Sequence, residues 1–156
     1  KDRLADAPGD ILERIAEIED WRSALPRPAA HFPVTHGDMN AGNLIWDGQR
    51  IRIIDFEEPM YTWNAADMAR PFRETKGQSD ERRKDTFDAC MKGYQRHRTP
   101  RFHDPVDYSN FVTIKNLEMY GWGLKVWEGK TAFDGGDLQA GLDEVRDMIL
   151  KPLKLG

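Results

Sequence analysis

The chain has 156 residues, 39% of them hydrophobic and 32% charged, which suffices for one folded domain and excludes a wholly disordered chain. Its formal net charge of −4 argues against nucleic acid as a partner, and no apolar run approaches the roughly 20 residues needed to cross a membrane. The one cysteine, Cys90, excludes a multi-cysteine metal site, and because no hydrophobic leader is visible we expect a cytoplasmic protein without a membrane partner.

Hydrophobic spacing predicts a mostly helical fold. Isoleucine and leucine recur at helical intervals over residues 9–25, with acidic and basic residues between them. Three prolines then predict a stiff connection without helix. Further helices are predicted over about 63–71, 79–97, 105–127 and 137–150.

One β-hairpin is predicted over residues 44–55. Asp47 and Gly48 form a tight-turn pair between two apolar arms. In the second arm Ile51 and Ile53 alternate with arginines, so we expect one face of the hairpin to be buried and the other exposed.

The segment that carries chemistry reads His-Gly-Asp-Met-Asn-Ala-Gly-Asn from His36 to Asn43, and the hairpin follows it. Asn43 opens the first arm and Asp55 follows the second, so we expect the hairpin to bring these two side chains together. Their oxygens suit Mg²⁺, which keeps its other positions for water or phosphate. Asp38 lies on the approach to this site without a cationic neighbour in sequence, where it is placed to accept a proton from an attacking hydroxyl.

The order His-Gly-Asp-x-x-x-x-Asn followed by Ile-Asp-Phe resembles the aminoglycoside phosphotransferase and choline kinase superfamily, which has a protein-kinase-like fold. The resemblance implies that Asp38 is the catalytic base and that Asn43 and Asp55 hold the Mg²⁺ ions bridging the ATP phosphates. It also implies that His36 packs under the metal-binding segment and that Asp67 accepts backbone N–H groups of the catalytic loop. The simpler interpretation is that these residues have no catalytic role: Asp38 is then a turn residue, Asn43 a cap and Asp55 a carboxylate at the end of a strand.

Two weaker patterns concern the phosphoryl acceptor. The Phe-Glu pair after the metal-binding aspartate and the Tyr-Gly-Trp-Gly-Leu segment look like choline and ethanolamine kinases. Glu57, Glu74 and Trp122 are therefore candidate residues for binding a cationic amine, with core packing as an equal alternative for Trp122. Lys125 is unfavourable beside a quaternary ammonium, so choline itself stays open. The acidic residues around the motif favour an amine-bearing acceptor through their field.

A kinase also needs a Gly-rich loop and a lysine on the ATP phosphates, and neither occurs in the 35 residues before His36. We therefore interpret residues 1–156 as the C-terminal lobe of a phosphotransferase, α+β and mostly helical, with the hairpin carrying the catalytic loop and metal site. The N-terminal nucleotide-clamping lobe is expected to be absent from this chain, which alone would be inactive.

The expected reaction transfers the γ-phosphoryl group of ATP to a hydroxyl of a small molecule that bears an amine, such as an aminoglycoside, an amino sugar, choline or ethanolamine. Two alternatives remain. One is a pseudo-kinase lobe that acts as a binding module, and the other is a bacterial Ser/Thr protein kinase of the same superfamily.

Overall fold

A computed structural model describes residues 4–5, 7–126, 132–133 and 136–156. The fold is α+β and mostly helical, as the sequence predicts. Its helices are α1 (Gly9–Ala24), α2 (Asn64–Ala69), α3 (Asp80–Gln95), α4 (Pro105–Val126) and α5 (Leu138–Leu150), with short 3-10 helices at Ala41–Asn43 and Arg70–Thr75. Among the described residues no helix is long and apolar enough to cross a membrane.

Short antiparallel strand pairs complete the described secondary structure. Each pair contains two or three residues per strand, too few to form a layered sheet. The pairs are β1 (Val34–Thr35) with β4 (Met60–Tyr61), β2 (Leu44–Trp46) with β3 (Ile51–Ile53), and β5 (Ala132–Phe133) with β6 (Gly136–Asp137).

The last three helices, α3, α4 and α5, begin where the sequence offers a capping side chain. The Ser79 side chain accepts a backbone N–H from the first turn of α3, and Asp104 and Asp137 do the same before α4 and α5. The helix predicted over 63–71 is shorter, and the chain continues as a 3-10 helix. Pro71 explains the change because it lacks the N–H that a continuing α-helix would need.

The chain divides into two compact units, and the division falls within α4. The first unit comprises residues 1–25 and 113–152. Apolar side chains of α1, α4 and α5 form its core, to which Asp10 of α1 and Arg146 of α5 add an ion pair. The buried members of this core are Ala7, Ile11, Ile18, Leu117, Tyr120 and Ile149.

The second unit comprises residues 26–112 and 153–156, and aromatic rings form much of its core. Phe72, Phe87 and Tyr108 are buried and contact one another, with ring centroids 5.1 to 6.5 Å apart. Phe72 belongs to the 3-10 helix, so the backbone of that helix is fixed by the core of this unit. The candidate catalytic segment lies in the same unit.

The hairpin has the predicted strands but not the predicted burial. β2 and β3 pair across the Asp47–Gly48 turn, and backbone N–H groups of the turn lower the pKa of the Asp47 carboxyl. Ile51 is 61% exposed and Ile53 is 42% exposed, so the expectation of one buried face is wrong. A two-stranded hairpin buries a face only when another layer packs on it, and within the described residues none covers these isoleucines.

Candidate active site

His36 joins the start of the catalytic segment to the chain beyond the hairpin. Its ring is buried. Nδ1 accepts the backbone N–H of Asp38 at 3.2 Å, and Nε2 lies 2.8 Å from the backbone oxygen of Ile54. These partners assign the ring proton to Nε2. The ring also packs on Phe56, with centroids 4.4 Å apart, so His36 lies beneath the segment in which the metal-binding aspartate was predicted.

The glycine of the His-Gly-Asp sequence is required by its surroundings. Gly37 has a φ of +85°, in the left-handed region that side chains disfavour. A Cβ atom at this position would lie 2.0 Å from the backbone oxygen of Glu58. The chain after the hairpin therefore passes directly against the catalytic loop at a point where only glycine fits.

Asn43 is oriented by the loop on which it lies. Its Nδ2 donates to the backbone oxygen of Asp38 at 2.9 Å and lies 3.4 Å from the Asp38 Oδ2 atom. Because the amino group points toward Asp38, the amide oxygen is the atom that remains for a cation.

The hairpin brings the chain before Asp55 back to Asn43. The backbone N–H of Ile54 donates to the backbone oxygen of Asn43 at 3.1 Å, so Asp55 follows directly after a residue that is hydrogen-bonded to Asn43. Asp55 is exposed and has a φ of +65°, which is uncommon for a residue other than glycine. Carboxylate and amide oxygens fit Mg²⁺. The described residues contain no group of three His, Cys, Asp or Glu side chains that could hold a metal ion.

Two carboxylates hold the backbone of the catalytic loop. Asp67 on α2 accepts the N–H of His36 at 2.6 Å and that of Gly37 at 2.9 Å. Glu74 on the 3-10 helix accepts the N–H of Ala41 at 3.0 Å. Charged acceptors make stronger hydrogen bonds than neutral ones. The loop is therefore fixed near both of its ends by side chains that follow it in sequence.

Between these two carboxylates lies a cation that the sequence reasoning missed. Arg70 donates from Nε and Nη2 to the Asp38 Oδ1 atom, at 3.0 and 2.9 Å, while Asn40 Nδ2 donates to Oδ2 at 2.7 Å. Asp38 thus has a cationic partner 32 residues away in the chain, which its sequence neighbours do not reveal. We call the set of Asp67, Arg70 and Glu74 the loop-binding face. These residues are three and four positions apart, and this helical spacing is the sequence signal that could have identified Arg70.

Arg73 adds a second positive charge to this region. Burial and the charge of Arg70 lower the pKa of its guanidinium, whereas the charges of Glu74 and Asp38 raise it. The two arginines offset part of the negative charge of Asp38, Asp67 and Glu74. The acidic field that favoured an amine-bearing acceptor is consequently weaker around Asp38 than the sequence indicates.

The candidate acceptor-binding residues lie in different places. Glu57 is exposed on the segment after the hairpin, and one carboxylate oxygen of Glu74 is used by the catalytic loop. Trp122 lies on α4 in the first unit and is 41% exposed. The two glutamates thus share the unit of the catalytic segment, whereas the tryptophan does not, and the binding roles of all three stay predictions.

Comparison with known proteins identifies the family. A sequence model of a phosphotransferase enzyme family, APH, matches residues 1–99. The chain belongs to this family. The match includes α1, the whole catalytic segment, the hairpin and α3. No curated protein matches the sequence.

A solved structure extends the likeness to the fold. Amicoumacin kinase hAmiN, in complex with AMP-PNP, Ca²⁺ and Ami, superposes with a TM-score of 0.71 at 18% sequence identity. The similarity covers 94% of this chain and 47% of the kinase chain. The protein-kinase-like fold predicted from the motif is thereby confirmed, and this chain spans about half the length of the kinase that it matches.

Proposed function

We propose that this chain is the C-terminal, catalytic-loop lobe of an ATP-dependent phosphotransferase whose acceptor is a hydroxyl of a small molecule. One observation carries the proposal: in a member of a phosphotransferase family, Asp38 and Asn43 lie on a loop held at both ends, and the hairpin returns the chain before Asp55 to Asn43. A structural turn would not need this combination of groups.

In the proposed reaction Asp38 accepts the proton of the acceptor hydroxyl as its oxygen forms a bond to the γ-phosphorus. The bond from that phosphorus to the oxygen of the leaving ADP breaks, and the proton stays on the Asp38 carboxyl. Such transfer depends mainly on positioning and on neutralising charge. The fixed loop around Asp38 supplies the positioning.

Asn43 and Asp55 are the proposed ligands of Mg²⁺, through the amide oxygen and the carboxylate. The metal would neutralise negative charge on the ATP phosphates. The similar kinase was solved with AMP-PNP and Ca²⁺, which supports the use of a nucleotide and a divalent cation in this fold.

We further propose that an N-terminal nucleotide-clamping lobe of the same polypeptide covers the hairpin. Large apolar side chains around the candidate site are exposed in this chain, which is unusual for a monomeric surface. The amicoumacin kinase chain has about as much chain again outside the matched part. The exposed side chains are Val34, Ile45, Trp46, Ile51, Ile53, Ile54, Phe56, Met60 and Tyr61.

The proposed acceptor is a small, amine-bearing alcohol of the aminoglycoside, amino sugar, choline or ethanolamine type. Glu57 and Glu58 are exposed on the segment that passes the catalytic loop, where a carboxylate would attract an ammonium group. If the chain belongs to a binding module, no acceptor should be phosphorylated. If it belongs to a Ser/Thr protein kinase, a peptide should be phosphorylated instead of a small molecule.

The test uses the whole protein that contains this chain. ATP consumption is measured over a panel of aminoglycosides, amino sugars, choline and ethanolamine, for the wild type and for Asp38→Asn. Loss of a general base is expected to lower kcat by about 10²- to 10⁴-fold, with the circular dichroism spectrum unchanged. Asp88→Asn is the matched control, because Asp88 is exposed on α3 and pairs only with Lys84 among the described residues.

Near-full activity of the Asp38→Asn protein would refute the assignment of the base. For the 156-residue chain alone we expect weak binding of Mg–ATP, since half of the clamp is missing. A calorimetric titration that gave micromolar affinity would contradict that expectation.

A further inference from the structure

We propose that Arg70 is a positioning residue for catalysis: it fixes the Asp38 carboxylate through Oδ1, so that Oδ2 is the oxygen that receives the proton of the acceptor. This inference rests on the proposed function and adds a residue that neither the motif nor the family match assigns. Its basis is the contact of two Arg70 nitrogens with a single carboxylate oxygen.

The two oxygens of Asp38 have different partners. Oδ1 accepts from both Nε and Nη2 of Arg70, which engages both of its lone pairs. Oδ2 accepts from the side-chain amides of Asn40 at 2.7 Å and Asn43 at 3.4 Å, which carry no charge. A cation that donates two N–H groups lowers the basicity of an oxygen more than neutral amides do, so the proton transfer is assigned to Oδ2, on the side of Asn43.

The pair is shielded enough for its geometry to be stable. The Arg70 side chain is 12% exposed and that of Asp38 is 26% exposed. Ion pairs at exposed sites gain little because water and salt screen them, whereas partly buried pairs are screened less. In contrast, Arg52 of the hairpin is 70% exposed where it pairs with Asp47 at 2.8 Å.

Within the loop-binding face, Arg70 differs from its two neighbours in what it holds. Asp67 and Glu74 contact backbone N–H groups of the loop, whereas the Arg70 guanidinium donates to the Asp38 side chain. Removal of Arg70 therefore leaves the loop backbone held at both ends. The expected defect is in the orientation of one carboxylate, not in the fold of the loop.

Charge gives a second reason for a cation at this place. In the proposed reaction the acceptor hydroxyl lies next to Asp38 when it receives the phosphoryl group. The negatively charged γ-phosphate of ATP must therefore approach the Asp38 carboxylate. Like charges in close contact repel. Arg70 offsets the Asp38 charge during that approach. After the proton has moved to Asp38, the Arg70 charge remains to balance the new phosphate ester.

The test compares Arg70→Ala, Arg70→Lys and the control Arg52→Ala, which also removes an arginine from an aspartate. The whole protein is assayed with ATP and the acceptor found in the screen, or by ATP hydrolysis, where water is the acceptor. We expect Arg70→Ala to lower kcat about 100-fold, as misplacement of a reacting group does, with KM for ATP changed less than about threefold. Lysine lacks the guanidinium fork, so Arg70→Lys should restore only part of kcat.

Two further measurements separate positioning from general damage. Millimolar guanidinium added to Arg70→Ala should raise its kcat, and Asp38→Asn/Arg70→Ala should be no slower than Asp38→Asn, because Arg70 acts through Asp38. Full kcat in Arg70→Ala, or a double variant clearly slower than Asp38→Asn, would overturn the inference. If Arg70→Ala does not fold, Arg70→Gln, which keeps most of the aliphatic stem, decides the same question.

The outcomes distinguish this inference from the proposed function. If Asp38→Asn is inactive and Arg70→Ala is fully active, the proposed function stands and the role of Arg70 is refuted. If Asp38→Asn keeps its activity, or if the wild-type protein turns over no ATP with any acceptor or with water, both are refuted.

Discussion

Replacement of Asp67 with alanine removes one acceptor that two backbone N–H groups of the catalytic loop share. These are the N–H groups of His36 and Gly37, at 2.6 and 2.9 Å from the Asp67 carboxylate oxygens. Both lie at the point where β1 ends and the candidate catalytic segment begins. The variant therefore tests whether α2 fixes the loop through this carboxylate.

The magnitude follows from the two hydrogen bonds. A hydrogen bond to a charged group contributes roughly 1.5 to 3 kcal/mol. Because Asp67 is only partly buried, water can reach the exposed N–H groups in the variant, and the low end of the range applies. We expect Asp67→Ala to lower the free energy of unfolding by about 3 kcal/mol, which corresponds to a fall in Tm of about 6 to 12 °C for a chain of this size.

Thermal and urea unfolding of the 156-residue chain measure this change by circular dichroism. Asp88→Ala is the control, because it removes an exposed aspartate that pairs with Lys84 on the same helix and should cost less than about 0.5 kcal/mol. Asp67→Asn keeps one acceptor oxygen and should show about half of the loss. A change below 1 kcal/mol in Asp67→Ala would refute the view that this carboxylate fixes the loop.

Two further predictions concern single sites. Gly37→Ala should lower the free energy of unfolding by at least about 3 kcal/mol, because the left-handed φ alone costs about 1 to 2 kcal/mol and the added Cβ would meet the backbone oxygen of Glu58. Gly77→Ala is the control, since nothing lies within 4 Å of a Cβ at that position, and an equal loss of stability there would contradict this reason. Burial raises the pKa of the Cys90 thiol above its usual 9.0, so alkylation by iodoacetamide at pH 8 should be at least about tenfold slower in the folded chain than in urea. Because the pKa of this thiol is higher in the folded chain than in the unfolded chain, its contribution to the free energy of unfolding is present below pH 9 and is lost as the pH rises through the folded pKa. Equal alkylation rates in the folded chain and in urea would show that the thiol is not shielded.

Local signals in the sequence predicted the elements of this fold well. The Asp47–Gly48 pair placed the hairpin turn, and the predicted starts of the last three helices lie within one residue of those in the structure. The catalytic motif predicted the family because the spacing of its residues is fixed by one short loop and one hairpin. Each of these features depends on neighbours within about a dozen residues, so the sequence pattern contains the relevant interactions.

Features that depend on distant partners were not predicted. The β1–β4 pair joins Thr35 to Met60 across 25 residues, with a hydrogen bond from the Thr35 hydroxyl to the Met60 oxygen, and two-residue strands leave no periodic pattern. The exposure of Ile51 was missed for a different reason. Alternation of apolar and polar residues indicates a face that can be buried, but a second layer has to be present to bury it.

The 3-10 helix explains why the candidate site depends on packing that no motif records. One side of this helix holds Arg70 and Glu74 on the catalytic loop, while Phe72, between them, is buried among aromatic rings of the second unit. The place of the Asp38 carboxylate is consequently set by core packing as well as by the loop itself. A change of volume in that aromatic core would move the helix, and with it the two side chains that hold the loop, although no residue of the motif had been altered.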